Sequence, residues 1–343
     1  MKKRINQAYV KTVLEQLLAI PSPTGYAHHA VEKVREEAGK LGLAFETTPK
    51  GMGIITVPGK RGDVLGLTGH VDTLGAMVRS VNKNGTLRMT PLGGYMMNSI
   101  EGEYVQVHTR DGRIITGTVL TSHPSVHVYA DAREQKREEA NMEVRLDAEV
   151  SSREDVRKLG VRAGDIISFD PRTRWANGFL KSRHLDDKAG VASLFGLLEL
   201  LQREGLTPQK TLKVCITTYE EVGHGASYVP EEIREILAVD MGAMGDDLTC
   251  TEQDVSICAK DSSGPYDYEL VSKLIRLAER DGISYAVDIY PSYGSDASAA
   301  LRGGSNLRAA LIGPGVHASH SMERTHEEAL WNTIALLAAY VME

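Results

Sequence analysis

The feature that most constrains this chain is a change of periodicity that occurs twice. Residues 6–19 and 27–41 repeat apolar side chains at helical spacing, separated by PSPTG at 21–25. Thr24 is the expected cap of the second helix. GIITV (53–57) and DVLGLTGH (63–70) then read as strands. From about residue 75 to about 175 the texture becomes β-rich. TLRMTPL, YVQVHT, IITGTVL, VHVYA, MEVRLDAEV and DIISFD alternate with the turns KNG, RDG and RAGD, and a single charged helix, SREDVRKLG, interrupts them. Beyond about residue 180 strands and helices alternate again: helices at 188–204, 265–281, 296–302 and 326–342, strands at 211–219, 236–241, 284–290 and 307–312.

Strands separated by amphipathic helices predict an α/β fold, a mostly parallel sheet covered by helices on both faces. The β-rich interval predicts a small barrel inserted into it. With 343 residues, the expected domains are 1–74 with 175–343, and 75–174 between them. Charge narrows the function. The net charge is −7 and no basic block occurs, so nucleic acid is not an expected partner. No apolar run approaches the roughly 18 residues of a membrane span, so no membrane partner is expected. Lys2, Lys3 and Arg4 lead into an amphipathic pattern, not the apolar core of a secretory signal. Cys215, Cys250 and Cys258 are odd in number and form no CxxC pair. Buried, reduced thiols in a cytoplasmic protein are expected.

Metal-ligand residue types recur where strands end. LTGHVD puts His70 and Asp72 on one face of a strand terminus. HLDDKAG offers Asp186 and Asp187 before a helix, TYEEVG offers Glu220 and Glu221, and ILAVDMG ends on Asp240. GPGVHASHSMER carries His317 and His320 in the loop after a strand. In open α/β sheets ligands bind at the carboxyl ends of strands. Singly, each motif has an ordinary reading: a helix cap, a strand terminator or a surface charge. In this order they predict one converging site. His70, Asp186, Glu221, Asp240 and a loop histidine, taken as His320, make two imidazoles and three carboxylates. Such a set suits two divalent ions sharing one carboxylate. Nitrogen and oxygen donors without thiolate admit Zn, Co or Mn.

Two adjacent glutamates would repel each other unless they divided the work. Glu221 can face a cation that offsets its charge. Glu220, one residue away, can stay off the metal and act as general base on a water between the ions, then return the proton to a leaving amine. Asp72, two residues after His70, is expected to orient the His70 ring.

GHVD, LDDKAG, EEVG, VDMG and GPGVHASHSMER, in this order, resemble the M42 family of metallo-aminopeptidases, the glutamyl and TET aminopeptidases, over essentially the whole chain. The resemblance implies that His70 and Asp240 bind one metal, Glu221 and His320 the other, with Asp186 bridging, Glu220 as catalytic base and Asp72 behind the His70 ligand. It prefers His320 to His317 because Ser-Met-Glu follows it. It also implies that the inserted module is PDZ-like and mediates dimerisation, that dimers can build a twelve-subunit shell, and that the substrates are short peptides. The chain reads GHVDTLG where many members read GHMDEVG, and LDDKAG where many read LDNRAG. YGSDASAA (293–300) is similar to a segment the family places near its substrate pocket. Read locally, it is a helix start capped by Ser295 or Asp296. The expected activity is removal of N-terminal residues from peptides. The alternatives are a metal-dependent deacylase of N-acyl amino acids and, more remotely, a glucanase working with two carboxylates and no metal.

Overall fold

A computed structural model describes residues 1–343. Contacts divide the chain into two compact units, Met1–Asp72 with Arg172–Glu343, and Thr73–Pro171.

The first unit is built on a nine-stranded sheet. Its centre is four parallel strands in the order Lys210–Thr217, Arg61–His70, Ile233–Val239 and Arg308–Pro314. Consecutive residues of these strands are buried: Leu65 to His70, Val214 to Thr217 and Ile236 to Val239. Neighbouring residues on a strand point to opposite faces, so both faces are covered. Antiparallel pairs join the margins to this centre, and Tyr285–Ile289 extends Val255–Asp261 in parallel. Gly53–Val57 and Ala44–Thr47 flank one side, and Val255–Asp261 flanks the other. Val255–Asp261 is absent from the sequence reading. Its run VSICAKD is short, and periodicity alone does not separate such a run from other buried segments. The helix Leu185–Arg203 is buried along most of its length and packs beneath the centre of the sheet with Glu327–Met342 and Gln7–Leu18. Lys188, fully buried in it, donates to the carbonyls of Leu17 and Ile20, both at 2.8 Å, and ties the end of the N-terminal helix to the start of this one.

A small antiparallel sheet of Arg174–Ala176, Phe179–Ser182 and Glu323–His326 lies in the same unit. Ser182 opposite Glu323 brings the chain before Asp186 beside the chain after His320. Thr24 does not cap the helix His28–Lys40. Ala27 occupies the cap without a side-chain bond, and the Thr24 hydroxyl instead donates to Asp72 Oδ2 at 2.6 Å.

The second unit closes a six-stranded antiparallel barrel from Gly75–Val81, Leu87–Leu92, Met142–Leu146, Ile114–Thr121, Tyr104–His108 and Ile166–Phe169. Val78, Met89, Val107, Val119, Val144 and Ile167 fill it. The helix Arg153–Lys158 is capped by Ser152, whose side chain accepts from the Asp155 amide. VHVYA (126–130) is not a strand. It lies in a turn-rich connection with Val126, Val128 and Tyr129 exposed.

Leu67, at 0% exposure in the central strand, has nowhere to collapse if shortened. Leu67→Ala should lower unfolding stability by about 2–5 kcal/mol. Denaturant titration checks this; a loss below about 1 kcal/mol would contradict the burial.

Candidate metal centre and active site

The parallel strands end level with one another. His70 pairs with Thr217, and Val239 pairs with Ile312. Residues just past these positions therefore meet at one edge. Asp240 follows Val239 directly, and Glu220 and Glu221 lie in a 3₁₀ turn, Glu220–Val222, just after Thr217. Gly313 is needed here, because a Cβ on it would sit 1.6 Å from the Asp240 carbonyl oxygen.

Asp186 is central. One carboxylate oxygen, Oδ1, lies 3.1 Å from His70 Nε2, and the other, Oδ2, lies 3.3 Å from His320 Nε2. His320 Nε2 also approaches Glu221 Oε2 at 3.5 Å, and Glu220 Oε2 stands 3.7 Å from His70 Nε2. Donor atoms of His70, Asp186 and Glu221 lie within 4.8 Å of one another, as do those of His70, Asp187 and Asp240. The His70 side chain is 1% exposed and that of His320 38%, so one imidazole is interior and the other lies towards solvent. All five expected ligands and Glu220 are thus brought together. His317 is not among them. It is exposed, and its backbone bridges to Arg324. Asp187 joins the cluster although its local reading was a helix cap: Oδ2 accepts from the His70 amide at 3.1 Å. The Asp186–Asp187 peptide is cis.

Asp72 stands behind the His70 ring as expected and has a second task besides. The nearest partner of His70 Nδ1 is the Asp72 carbonyl oxygen at 2.9 Å, with Asp72 Oδ1 at 3.5 Å. The Asp72 carboxylate accepts from the amides of Glu220, at 3.1 Å to Oδ1, and Glu221, at 3.3 Å to Oδ2. Asp72 therefore orients the imidazole through its carbonyl and, less closely, its carboxylate, and the same carboxylate holds the glutamate turn.

Sequence reasoning passed over Glu323. Its Oε2 accepts from the amides of Leu185, at 2.7 Å, and Asp186, at 3.2 Å, and its Oε1 accepts from the His320 amide at 3.1 Å. His320 has φ 64° and Ala318 φ 57°, in the left-handed region that costs a non-glycine residue about 1 kcal/mol or more. The bond from Glu323 holds that conformation. The only local signal in the sequence is the Glu of SHSMER, which does not reveal these partners.

So many buried acids are electrostatically costly. Burial, together with the neighbouring Asp186 charge, pushes the Asp240 carboxyl up to about 7 and that of Glu323 up to about 8. Burial also raises Glu220 well above the usual range, with Asp240 adding to it and His70 offsetting part, and raises Glu221, with Asp186 adding. Burial opposes charge on His70, yet its bonds to Asp186 and Asp72 leave it well above the ordinary imidazole value. Glu221 Oε1 and Asp187 Oδ1 are buried without a hydrogen-bond partner. Orphaned oxygens in an acid cluster beside two imidazoles fit cation binding: positive charge satisfies them and removes the repulsion. The cluster opens on a cavity of about 540 Å³ walled by Met241, Leu248, Tyr290 and Tyr293, with Arg302 also lining it.

A parallel-centred sheet that gathers two histidines and several acids beyond its strand ends defines a hydrolase of the metallopeptidase class. The model of the M42 glutamyl aminopeptidase family matches residues 51–336, and the chain belongs to that family. A Bacillus subtilis (strain 168) protein whose name, YhfE, carries an aminopeptidase designation is 46% identical over 332 residues, covering 96% of each chain. The fold is similar to the TET aminopeptidase of the marine sediment archaeon Thaumarchaeota archaeon SCGC AB-539-E09, with TM-score 0.89, 20% identity and 97% of each chain covered. It is also similar to the TET1 peptidase of Pyrococcus horikoshii, with TM-score 0.83, 23% identity, and 97% of this chain and 99% of that one covered. The chain is an aminopeptidase of a metal-dependent family, a hydrolase acting on peptides. No helix is long and apolar enough to cross a membrane.

The raised groups fix a pH dependence. Asp240 and Glu323 hold their protons more tightly folded than unfolded, so their contribution to stability is complete below about pH 4 and is lost as pH rises through about 7 and about 8. His70, also raised, contributes below its unfolded value of about 6.5 and loses this as pH rises further. Asp186 is lowered, and its contribution is already complete by about pH 6. Chelator-treated protein should therefore melt at lower temperature as pH rises from about 6 to about 8.5. The increase in Tm on adding a divalent cation should grow over the same range. Calorimetry checks both; a flat profile without cation would contradict the electrostatic reading.

Proposed function

We propose that the chain is a two-cation aminopeptidase in which Asp186 is shared by both ions, His70 and Asp240 complete one position, and Glu221 and His320 the other. The observation that carries this is the division of the Asp186 carboxylate, one oxygen towards each imidazole. Zn, Co and Mn all suit the donor set. Bound there, the ions supply Lewis-acid polarisation of the scissile carbonyl and lower the pKa of the attacking water.

Glu220 handles the proton. Its carboxylate lies beside His70 Nε2, and its backbone is held by Asp72. It takes a proton from water as the new C–O bond forms and gives it to the amine nitrogen as the C–N bond breaks. The free α-amine of a peptide is a cation at neutral pH, and Glu220, Glu221 and Asp240 line the cavity that must receive it. With Glu221 and Asp240 holding the ions, an open coordination position would accept this amine in its neutral form, which favours cleavage at the amino terminus over the interior of a chain.

Among the basic residues that could select a substrate side chain, Arg308 pairs with Glu235, Arg324 pairs with Glu252, and Lys260 donates to the Asp261 carbonyl. Arg302 lines the cavity. It supports a preference for acidic N-terminal residues. Assembly from dimers up to a dodecamer is our reading; the dodecamer described for PhTET1-12s and the tetrahedron or octahedral shell described for the Pyrococcus horikoshii TET1 peptidase support a large assembly. Tyr104 and Ile114, exposed on the barrel, are the surface we assign to dimer contact. Three free, buried cysteines support a cytoplasmic location.

Glu220→Gln should reduce kcat by about 10²–10⁴-fold while leaving cation binding intact. N-acetylation of the substrate should abolish turnover by the unmodified enzyme. Para-nitroanilide substrates and their acetylated counterparts test both. Turnover of acetylated substrates alone would instead indicate a deacylase. In the same assay, Arg302→Ala should lower kcat/KM for glutamyl substrates relative to leucyl ones by about three- to tenfold; an unchanged ratio would remove Arg302 from selectivity.

A further inference from the structure

Residues 217–226, which carry Glu220 and Glu221, are fastened at both ends by one side chain outside the metal cluster. Asp296 Oδ2 accepts from the Thr217 hydroxyl at 2.6 Å, where the strand Lys210–Thr217 ends. Asp296 Oδ1 accepts from the Ala226 amide at 2.8 Å, where the loop returns. Asp296 is 3% exposed and is not part of the cavity wall. The fit is close. A Cβ on Gly225 would lie 2.3 Å from Asp296 Oδ1 and 3.1 Å from the Glu220 Cα, so only glycine lets the loop close against this carboxylate.

Asp296 is itself held in place. It opens the helix Asp296–Arg302, where Ser295 and Ser298 form a reciprocal capping box. The Ser295 hydroxyl bonds the Tyr266 hydroxyl at 2.7 Å, and Tyr266 donates to Asp261 Oδ2 at 2.8 Å. A rigid chain of bonds thus runs from the sheet margin to the glutamate loop. Asp72 fixes the middle of that loop through the two glutamate amides, and Asp296 fixes its ends.

We propose that Asp296 is a positioning residue for the hydrolysis: by fastening Thr217 and Ala226 it sets where the Glu220 carboxylate stands beside His70. It touches neither substrate nor cation, and acts only through the loop. The inference rests on the proton-transfer role proposed for Glu220. A displacement of about 1 Å in such a group costs about 10²-fold in rate.

The test compares Asp296→Ala, Asp296→Asn, Thr217→Val and Glu220→Gln with unaltered enzyme. All are metal-loaded and assayed on one free-amine para-nitroanilide. Asp296→Ala should lower kcat by about 10²-fold with KM changed less than about threefold. Asp296→Asn should recover most of that kcat, because its carbonyl can accept from Ala226 and its amide can donate to the Thr217 oxygen. Thr217→Val, which removes one fastening, should fall between them. If Asp296→Ala does not fold, Asp296→Asn and Thr217→Val decide: near-normal kcat in the first with about tenfold loss in the second is the expected pair. Three results would overturn the proposal: Asp296→Ala within about threefold of normal kcat, Asp296→Asn as impaired as Asp296→Ala, or a loss confined to KM. Full activity in Glu220→Gln would instead overturn the role of Glu220, which separates the two failures.

Discussion

The structure depends on the cost of placing acids together away from water. Asp186, Asp187, Glu220, Glu221, Asp240 and Glu323 meet at one edge of the sheet beside His70 and His320. Left alone, such groups repel one another, and all but Asp186 hold protons more tightly than usual. The fold keeps them in place with fixed donors that cannot leave. Asp72 accepts from two amides of the glutamate turn, Glu323 from amides on both sides of the Asp186–His320 contact, and Asp187 from the His70 amide. The remaining charge is what bound metal would balance. The energetic penalty in the apoprotein and the affinity for metal are two aspects of one arrangement.

The parallel centre makes this possible. Adjacent strands that run in one direction deliver their carboxyl ends to the same edge, and a residue just past each end needs no long loop to reach its neighbours. His70, Asp240 and the glutamate turn are positioned this way. Asp186 and His320 arrive differently, through the small antiparallel sheet whose strands carry Ser182 and Glu323 opposite each other. The rigid sheet thus sets one half of the site and the small sheet sets the other, and the cavity lies over both sets of residues.

Much of this was legible in the sequence because the ligands sit next to strand punctuation, which is local. GHVD, LDDKAG, EEVG and VDMG announce themselves as acids and histidines just after apolar runs. The partners that hold them in place are tertiary and leave no such mark. Thr24 looked like a helix cap because a threonine before a helix usually is one, yet its hydroxyl serves Asp72. Glu323 and Asp296 look like ordinary residues of a loop and a helix start, and only the folded chain shows what they accept from. Proximity in sequence points Asp72 to the His70 ring, which it meets, but only the folded chain shows that its carboxylate also accepts from the glutamate amides. The strand Val255–Asp261 escaped because a short run buried on both faces carries no alternation to read. In the barrel, the exposed VHVYA had strand-like composition without strand pairing.

The central claim is that Asp186 serves two cations at once. The most direct measurement is the stoichiometry of Co²⁺ binding to chelator-stripped protein, read by calorimetry and visible absorption, for the natural chain and for Asp186→Ala. The account predicts two ions per chain in the natural protein, and weakening of both sites together in Asp186→Ala. A single ion per chain, or a variant that loses one ion and binds the other as tightly as before, would contradict it.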